Sequence, residues 1–281
     1  MTNSIPTAVS SFVNANGVTL HVRADGHTVG SSPAAPILYL HSLGADLRIF
    51  DQVVARLPQR PHLRLDLRGH GLSGAPAGDY AIAQLADDAL RVLDAAGADK
   101  AVLVGVSVGG MVALRAALDH PERVAGLVLS NTAAKLGEED VWRARMDTVF
   151  EQGVASLADS TLLRWFPEEF RHANPAMTAG LGNMIARTSA AGYAGVCAAL
   201  GAEDLRARLP ELKRDVLVVG GSHDLSTPPP VVSELARALP AARLEMVDGA
   251  GHLPMVDAPE RFAALLTQYL EHVNDKENRR G

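Results

Sequence analysis

Three residues far apart in the chain have the side chains that nucleophilic acyl chemistry requires: Ser107, Asp224 and His252. Ser107 stands in Gly105-Val106-Ser107-Val108-Gly109, a G-x-S-x-G motif that follows the apolar run 101–104 and precedes a helical pattern. In that setting a serine sits at the apex of a sharp strand-to-helix turn with its hydroxyl presented outward. The turn demands its glycines, because strand and helix backbones approach too closely for a Cβ at Gly105 or Gly109. A serine hydroxyl is a weak nucleophile at neutral pH, so a base must take its proton during attack and return it to the leaving group. His252, in Gly249-Ala250-Gly251-His252, is the expected base. Asp224, in Gly220-Gly221-Ser222-His223-Asp224, is the expected carboxylate that fixes the imidazole tautomer and stabilises its cation. The N–H of Val108, at the start of the following helix, points where an oxyanion would develop.

Other polar residues read as framework. His41, at the end of an apolar run in His41-Ser42-Leu43-Gly44, is expected to brace its loop. Asp66, Arg68 and His70 fall in a Gly-rich turn, where polar side chains usually tie loops together. His223 neighbours the acid and is expected to point away from it. Cys197 lies among alanines and reads as packing. The 10 histidines show no metal-ligand spacing, and neither G-x-G-x-x-G nor a P-loop is present, so no metal and no cofactor are expected.

Strands must hold these residues along one edge. Apolar runs at 11–13 and 18–22 flank Asn16-Gly17, a hairpin signal. Further runs at 37–40, 63–67, 101–106, 124–129, 216–219 and 244–247 read as strands. Helical spacing falls between them at 47–57 (stopping at Pro58), 82–93, 108–119, 231–239 and 259–273, with 274–281 left as a polar tail. Alternating strands and helices with largely apolar strands mean a mostly parallel sheet with helices on both faces. The alternation breaks at 132–212, a helical stretch holding Trp142, Trp165 and the arginines 143, 145, 164, 171 and 187. An insertion there would cover the carboxyl ends of the strands, where ligands bind in open α/β sheets. The expected organisation is an α/β-hydrolase core at 1–131 and 213–281 with a helical lid at 132–212. The order Ser107, Asp224, His252 is the triad order of that fold, in which the loop after the first parallel strand gives a second oxyanion N–H, here that of Leu43.

The whole-chain numbers agree. The chain has 281 residues, 47% hydrophobic, ample for a large core, and a formal charge of −6 that argues against a nucleic-acid surface. A single cysteine excludes an intrachain disulfide and suits a reducing compartment. Residues 1–10 lack a basic region followed by an apolar one, and no run approaches the ~20 apolar residues of a membrane span, so a cytoplasmic location without membrane attachment is expected.

Beyond the motifs of the fold, HSLGADLRIFD, NTAAKLG followed by Trp142 and Arg145, LLRWFPEEFR, MIARTSAAGYAGVCAAL and GSHDLSTPP resemble the 3-oxoadipate enol-lactonases of bacterial aromatic degradation, with His41 where that family carries Asn. The resemblance runs from Leu40 to Leu266 and includes much of the lid; the chain stops after the last hydrolase helix, as in the family's stand-alone members. It implies attack by Ser107 on a cyclic ester, ring opening, release of 3-oxoadipate and no cofactor. The substrate would be a small lactone bearing a carboxylate, which Arg145, three residues from Trp142 and so on the same helix face, is placed to pair. A general carboxylesterase or perhydrolase, a C–C bond hydrolase and a non-catalytic small-ligand receptor share the same residues and stay open at this level.

Overall fold

A computed structural model describes residues 9–31, 34–57 and 60–278. The expectations on 1–8, on Pro58 and on the last three residues of the tail lie outside the described residues. Eight strands form one sheet in the order β1-β2-β4-β3-β5-β6-β7-β8: Val9–Ala15, Val18–Asp25, Ile37–Leu40, His62–Leu65, Ala101–Val106, Val124–Ser130, Val216–Gly221 and Ala242–Val247 for β1 to β8. β1 and β2 are antiparallel, β2 meets β4 antiparallel, and every later pair is parallel. β1 and β2 join through Asn16-Gly17 at φ 52° and 83°, the left-handed pair that the hairpin signal requires. β3, β5 and β7 are buried at every position, so their sequences show unbroken apolar or small-residue runs rather than alternation, whereas β4, equally buried, alternates His62 and Arg64 with leucines, Arg64 being paired with Asp25.

Helices cover both faces. α1 (Asp51–Val54) is a single turn, α2 (Ile82–Ala96) presents Ile82, Leu85, Ala86, Ala89 and Leu93 to the core, and α3 (Val108–Asp119) follows the elbow. Gly97, at φ 71°, closes α2 as its left-handed cap. Between β6 and β7 come α4 (Glu139–Gln152), α5 (Ala158–Trp165), α6 (Glu168–Ala173), α7 (Pro175–Ala186) and α8 (Ala190–Ala202), with no strand among them. α9 (Pro229–Ala238), the short α10 (Pro254–Asp257) and α11 (Pro259–Asn278) complete the chain. Among the described residues no helix is long and apolar enough to cross a membrane.

Three local expectations need correction. The helix expected over 47–57 is a 3-10 turn at Leu47–Phe50 and then α1, because Asp46 caps the turn through the Arg48 N–H and the helix closes at Ala55. β4 stops at Leu65 rather than 67, because the Asp66 carboxylate turns aside to the N–H groups of Leu47 (2.8 Å) and Leu72 (2.9 Å). α11 continues through Asn274 to Asn278, where 274–281 reads as a tail; Glu and Lys there are good helix formers and extend a helix already nucleated by its packed face.

The helical stretch docks on the core through a glycine pair. Gly192, on α8, lies so close to Gly69 of the Arg68-Gly69-His70-Gly71 turn that a Cβ on either would overlap the backbone of the other. Beside this seam the Tyr80 N–H donates to the Gly195 carbonyl (3.1 Å), and Arg68 reaches the buried Asp88 through two bonds of 2.6 Å.

Candidate active site

Ser107 sits between β5 and α3 with φ 56° and ψ −122°, a conformation that non-glycine residues rarely adopt. Such a residue carries about 1–3 kcal/mol of backbone strain, which the surrounding structure must offset. Here a Cβ on Gly105 would overlap the Gly109 carbonyl, and one on Gly109 would overlap the Leu40 carbonyl. The Ser107 N–H donates to Ser130 (3.0 Å), and the Thr132 hydroxyl donates to the Ser107 carbonyl (2.6 Å), so β6 clamps the elbow from the side. The Ser107 hydroxyl is only partly buried and lines a cavity of about 380 Å³.

Asp224, in the loop after β7, and His252, in the loop after β8, meet beneath that cavity. The Nδ1–H of His252 donates to Asp224 Oδ2 (2.8 Å) in a site where both side chains are almost wholly buried. The same oxygen accepts from Thr227 Oγ1 (2.5 Å) and Asn131 Nδ2 (2.8 Å), while Oδ1 accepts the N–H groups of Ser226 (2.7 Å) and Thr227 (3.0 Å). Burial pushes the Asp224 carboxyl upward, but His252, Thr227 and Asn131 outweigh it and hold the group below the usual carboxylate range. The carboxylate is therefore ionised at neutral pH and fixes the imidazole with Nε2 left for another partner. Ser107 and His252 line the same cavity without a direct hydrogen bond between them.

Two of the fixing groups escaped sequence reasoning. Asn131, directly after β6 with φ 47°, turns its amide to both Asp224 (2.8 Å) and the Gly251 carbonyl (3.2 Å). The last carbonyls of α5 also hold the loops that carry Asp224 and His252. The Trp165 carbonyl accepts the His252 N–H (2.7 Å), the Arg164 carbonyl accepts the Leu225 N–H (3.3 Å), and the indole of Trp165 stacks on the imidazole at 6.3 Å between centroids. These carbonyls have no partner inside their own helix, and they place its negative end beside the imidazole. Asp257 supports the same loop by accepting the Gly251 N–H (2.6 Å), with burial pushing its carboxyl up to about 7.

Val108 is the first residue of α3 and Leu43 lines the cavity; among the described residues neither N–H donates to an acceptor. Two buried histidines shape the Leu43 loop. His41 accepts the Leu67 N–H (2.9 Å) and donates to the Ser42 carbonyl (2.8 Å), and His70 accepts the Gly44 N–H (3.0 Å). Both must be neutral to accept. Burial drives both imidazoles to lower values, that of His70 to about 3. His223 is exposed and turned to the Ser222 hydroxyl (2.9 Å), and Cys197 is fully buried, its thiol pushed up to about 12 by desolvation.

The roof of the cavity comes from the helical stretch. Trp142 and Arg145 both line it, from α4. The Trp142 indole N–H donates to the Leu136 carbonyl. Arg145 donates to the hydroxyls of Tyr193 (2.8 Å) and Thr161 (3.2 Å), which are neutral, and its guanidinium lies over the Tyr193 ring. Of the remaining arginines of the stretch only Arg164 lines this cavity; Arg143 pairs with Glu139 on the surface, Arg171 donates to the Phe166 carbonyl, and Arg187 borders a separate cleft. Among the described residues no carboxylate lines the cavity.

A strained serine at a strand-to-helix turn, an acid after the penultimate strand and a histidine after the last define the chain as a member of the alpha/beta hydrolase fold family, whose sequence pattern matches residues 35–259. The protein is a hydrolase of that family. It is similar to 3-oxoadipate enol-lactonase 2 of Acinetobacter baylyi, at 32% identity over 88% of this chain and 92% of the relative. Among solved structures it is similar to the enol-lactonase from Burkholderia xenovorans LB400, with a TM-score of 0.89 and 35% identity over 93% of this chain and all of that one (100%). A thermophilic esterase from Thermogutta terrifontis, solved with malate bound, aligns with a TM-score of 0.87 at 26% identity, covering 95% of this chain and 99% of that one.

Proposed function

We propose that the protein opens 3-oxoadipate enol-lactone to 3-oxoadipate through an acyl-serine intermediate. The observation that carries the reading is Arg145, a guanidinium on the cavity wall whose hydrogen-bond partners are both neutral, in a cavity that also holds Ser107 and His252. A buried or half-buried cation without a carboxylate partner is unfavourable until an anion arrives. The similarity to two enol-lactonases supports the same choice of substrate.

In this mechanism the 132–212 stretch acts as a lid over the core. Trp142 gives the lactone ring a flat wall and Arg145 pairs the carboxylate arm. Ser107 attacks the ring carbonyl as His252 Nε2 takes its proton, and Asp224 stabilises the imidazolium. The Leu43 and Val108 N–H groups hold the oxyanion. Collapse breaks the ring C–O bond; the enol oxygen takes the proton from His252 and the enol becomes a ketone while still tethered by the acyl group. Water, activated by His252, then frees the acid from Ser107.

A general carboxylesterase is the second reading. It is favoured by the apolar mouth of the cavity, where Val141 and Leu225 stand exposed, and by the esterase among the structural relatives. A panel of enol-lactone, a neutral p-nitrophenyl ester and a vinylogous diketone separates the possibilities. The proposal expects kcat/KM for the lactone to exceed that for the neutral ester by about 100-fold or more, the scale of a charge-assisted contact combined with a fitted ring. A preference for the neutral ester favours the second reading, diketone cleavage a C–C hydrolase, and no turnover a receptor.

A further inference from the structure

Arg164 is a second cation in the same cavity and has even less to hold it. It sits in the last turn of α5, half-buried, and its guanidinium makes no hydrogen bond or ion pair with any described residue. Arg145 is close enough for its charge, after burial itself, to lower the proton affinity of Arg164. Lys135, the remaining cation of the lining apart from the triad histidine, already pairs with Glu138 (3.3 Å). The cavity thus holds two guanidiniums without a carboxylate in a protein of formal charge −6. One carboxylate arm would neutralise one of them and leave the other unpaired.

We propose that Arg145 and Arg164 together form a binding site for a dicarboxylate, in which Arg164 pairs with the carboxylate that ring opening creates. The inference rests on the lactonase reading for the origin of that second charge. Hydrolysis of a carboxylate-bearing lactone consumes one water, breaks the ring ester C–O bond and releases one proton, so a monoanion becomes a dianion. The arm already belongs to Arg145. Arg164 stands on α5, one turn beyond the Thr161 that holds Arg145, on the helix whose carbonyls hold the Leu225 and His252 loops. Its charge therefore acts near the triad, where the new carboxylate leaves Ser107. The product is held by both arginines and the lactone by one, so the dicarboxylate competes with its own precursor. The empty site keeps two like charges together in a poorly solvated wall, and Arg164 lowers the stability of the unliganded protein.

The test uses six-carbon acids on Ser107→Ala protein, so that binding is read without catalysis. Calorimetry compares adipate, a dicarboxylate, with hexanoate, its monocarboxylate counterpart. Adipate should bind at least about tenfold more tightly, and Arg164→Gln should reduce that advantage to less than about threefold, the size expected for losing one charge-assisted pair. Arg164→Met in the same background should melt at a higher temperature than its parent without ligand and lose most of the adipate-induced rise in Tm. Equal affinities for the two acids in the parent, or an adipate advantage untouched by Arg164→Gln, would overturn the proposal, as would an Arg164→Met protein that melts no higher than its parent. Adipate preference in a protein that fails to turn over the lactone would sink the lactonase reading and leave the dicarboxylate site standing.

Discussion

At the scale of single residues, Asp224 shows how much support one carboxylate needs. Its two oxygens receive hydrogen bonds from Asn131, Ser226, Thr227 and His252, and a charge buried this deeply requires them. Asn131→Ala removes one charge-assisted bond and should lower kcat/KM about tenfold. It should also raise the acid limb of the pH profile, because Asp224 would ionise less readily; an unshifted limb would show that Asn131 does nothing for the acid. Arg145→Ala should lower kcat/KM for the lactone by roughly 10–100-fold, the equivalent of about 1.5–3 kcal/mol. The loss should exceed that on a neutral ester at least tenfold, and equal losses on both would mean that only the lid was damaged. His70 gives a prediction in pH. Its folded value near 3 lies below the ordinary 6.5, so from pH 6.5 downward the unfolded chain binds a proton that the folded chain refuses. Stability should therefore fall with pH in that window, by about 2 kcal/mol at pH 5 from this group. Asp257 works the other way, since its raised folded value favours the protonated fold as pH falls. Glutamine at 70 keeps an acceptor for the Gly44 N–H without titrating. Urea midpoints at pH 7.5 and pH 5 should thus fall further in the parent than in His70→Gln, and parallel falls would refute the assignment.

At the scale of elements, the inner strands were readable because they are buried on both faces. Runs such as Ala101–Val106 show no polar residue that could confuse the period, and the β1–β2 turn announces itself through Asn16-Gly17. Ser107 and Asp224 were readable for a related reason, since each follows such a run, and His252 was readable from the Gly-rich loop after the last strand. The short helices were harder to place. A capped 3-10 turn at Leu47–Phe50 mimics the apolar spacing of a longer helix, and a polar end such as that of α11 looks like a tail although it continues a packed helix. The contacts of α5 left no trace in the sequence, because a backbone carbonyl accepts the His252 N–H whichever side chain residue 165 bears. Tyr193 and Thr161, which hold Arg145, were hidden for want of any motif that ties three helices together. The seam at Gly69 and Gly192 is likewise a meeting of backbones distant in sequence. Gly192→Ala should force this seam apart and cost about 1–3 kcal/mol, lowering Tm by roughly 2–10 °C. An unchanged melting temperature would mean that α8 can shift without penalty.

At the scale of the whole molecule, a sheet-based core presents three residues along one edge, and a helical stretch between β6 and β7 both roofs the cavity and lends its carbonyls to the triad loops. In the proposed mechanism the core supplies the nucleophile and this helical roof supplies the charge. The negative formal charge of the chain makes the cationic cavity a local feature. The most direct measurement of the central claim is kcat/KM for 3-oxoadipate enol-lactone, followed by loss of the ring absorbance, in the parent protein and in Ser107→Ala side by side. The account predicts efficient turnover by the parent, about 10⁵ M⁻¹s⁻¹ or higher, and a loss of roughly 10⁴-fold or more in the folded variant. A parent protein that leaves the lactone intact, or a Ser107→Ala protein that opens it at a comparable rate, would contradict it.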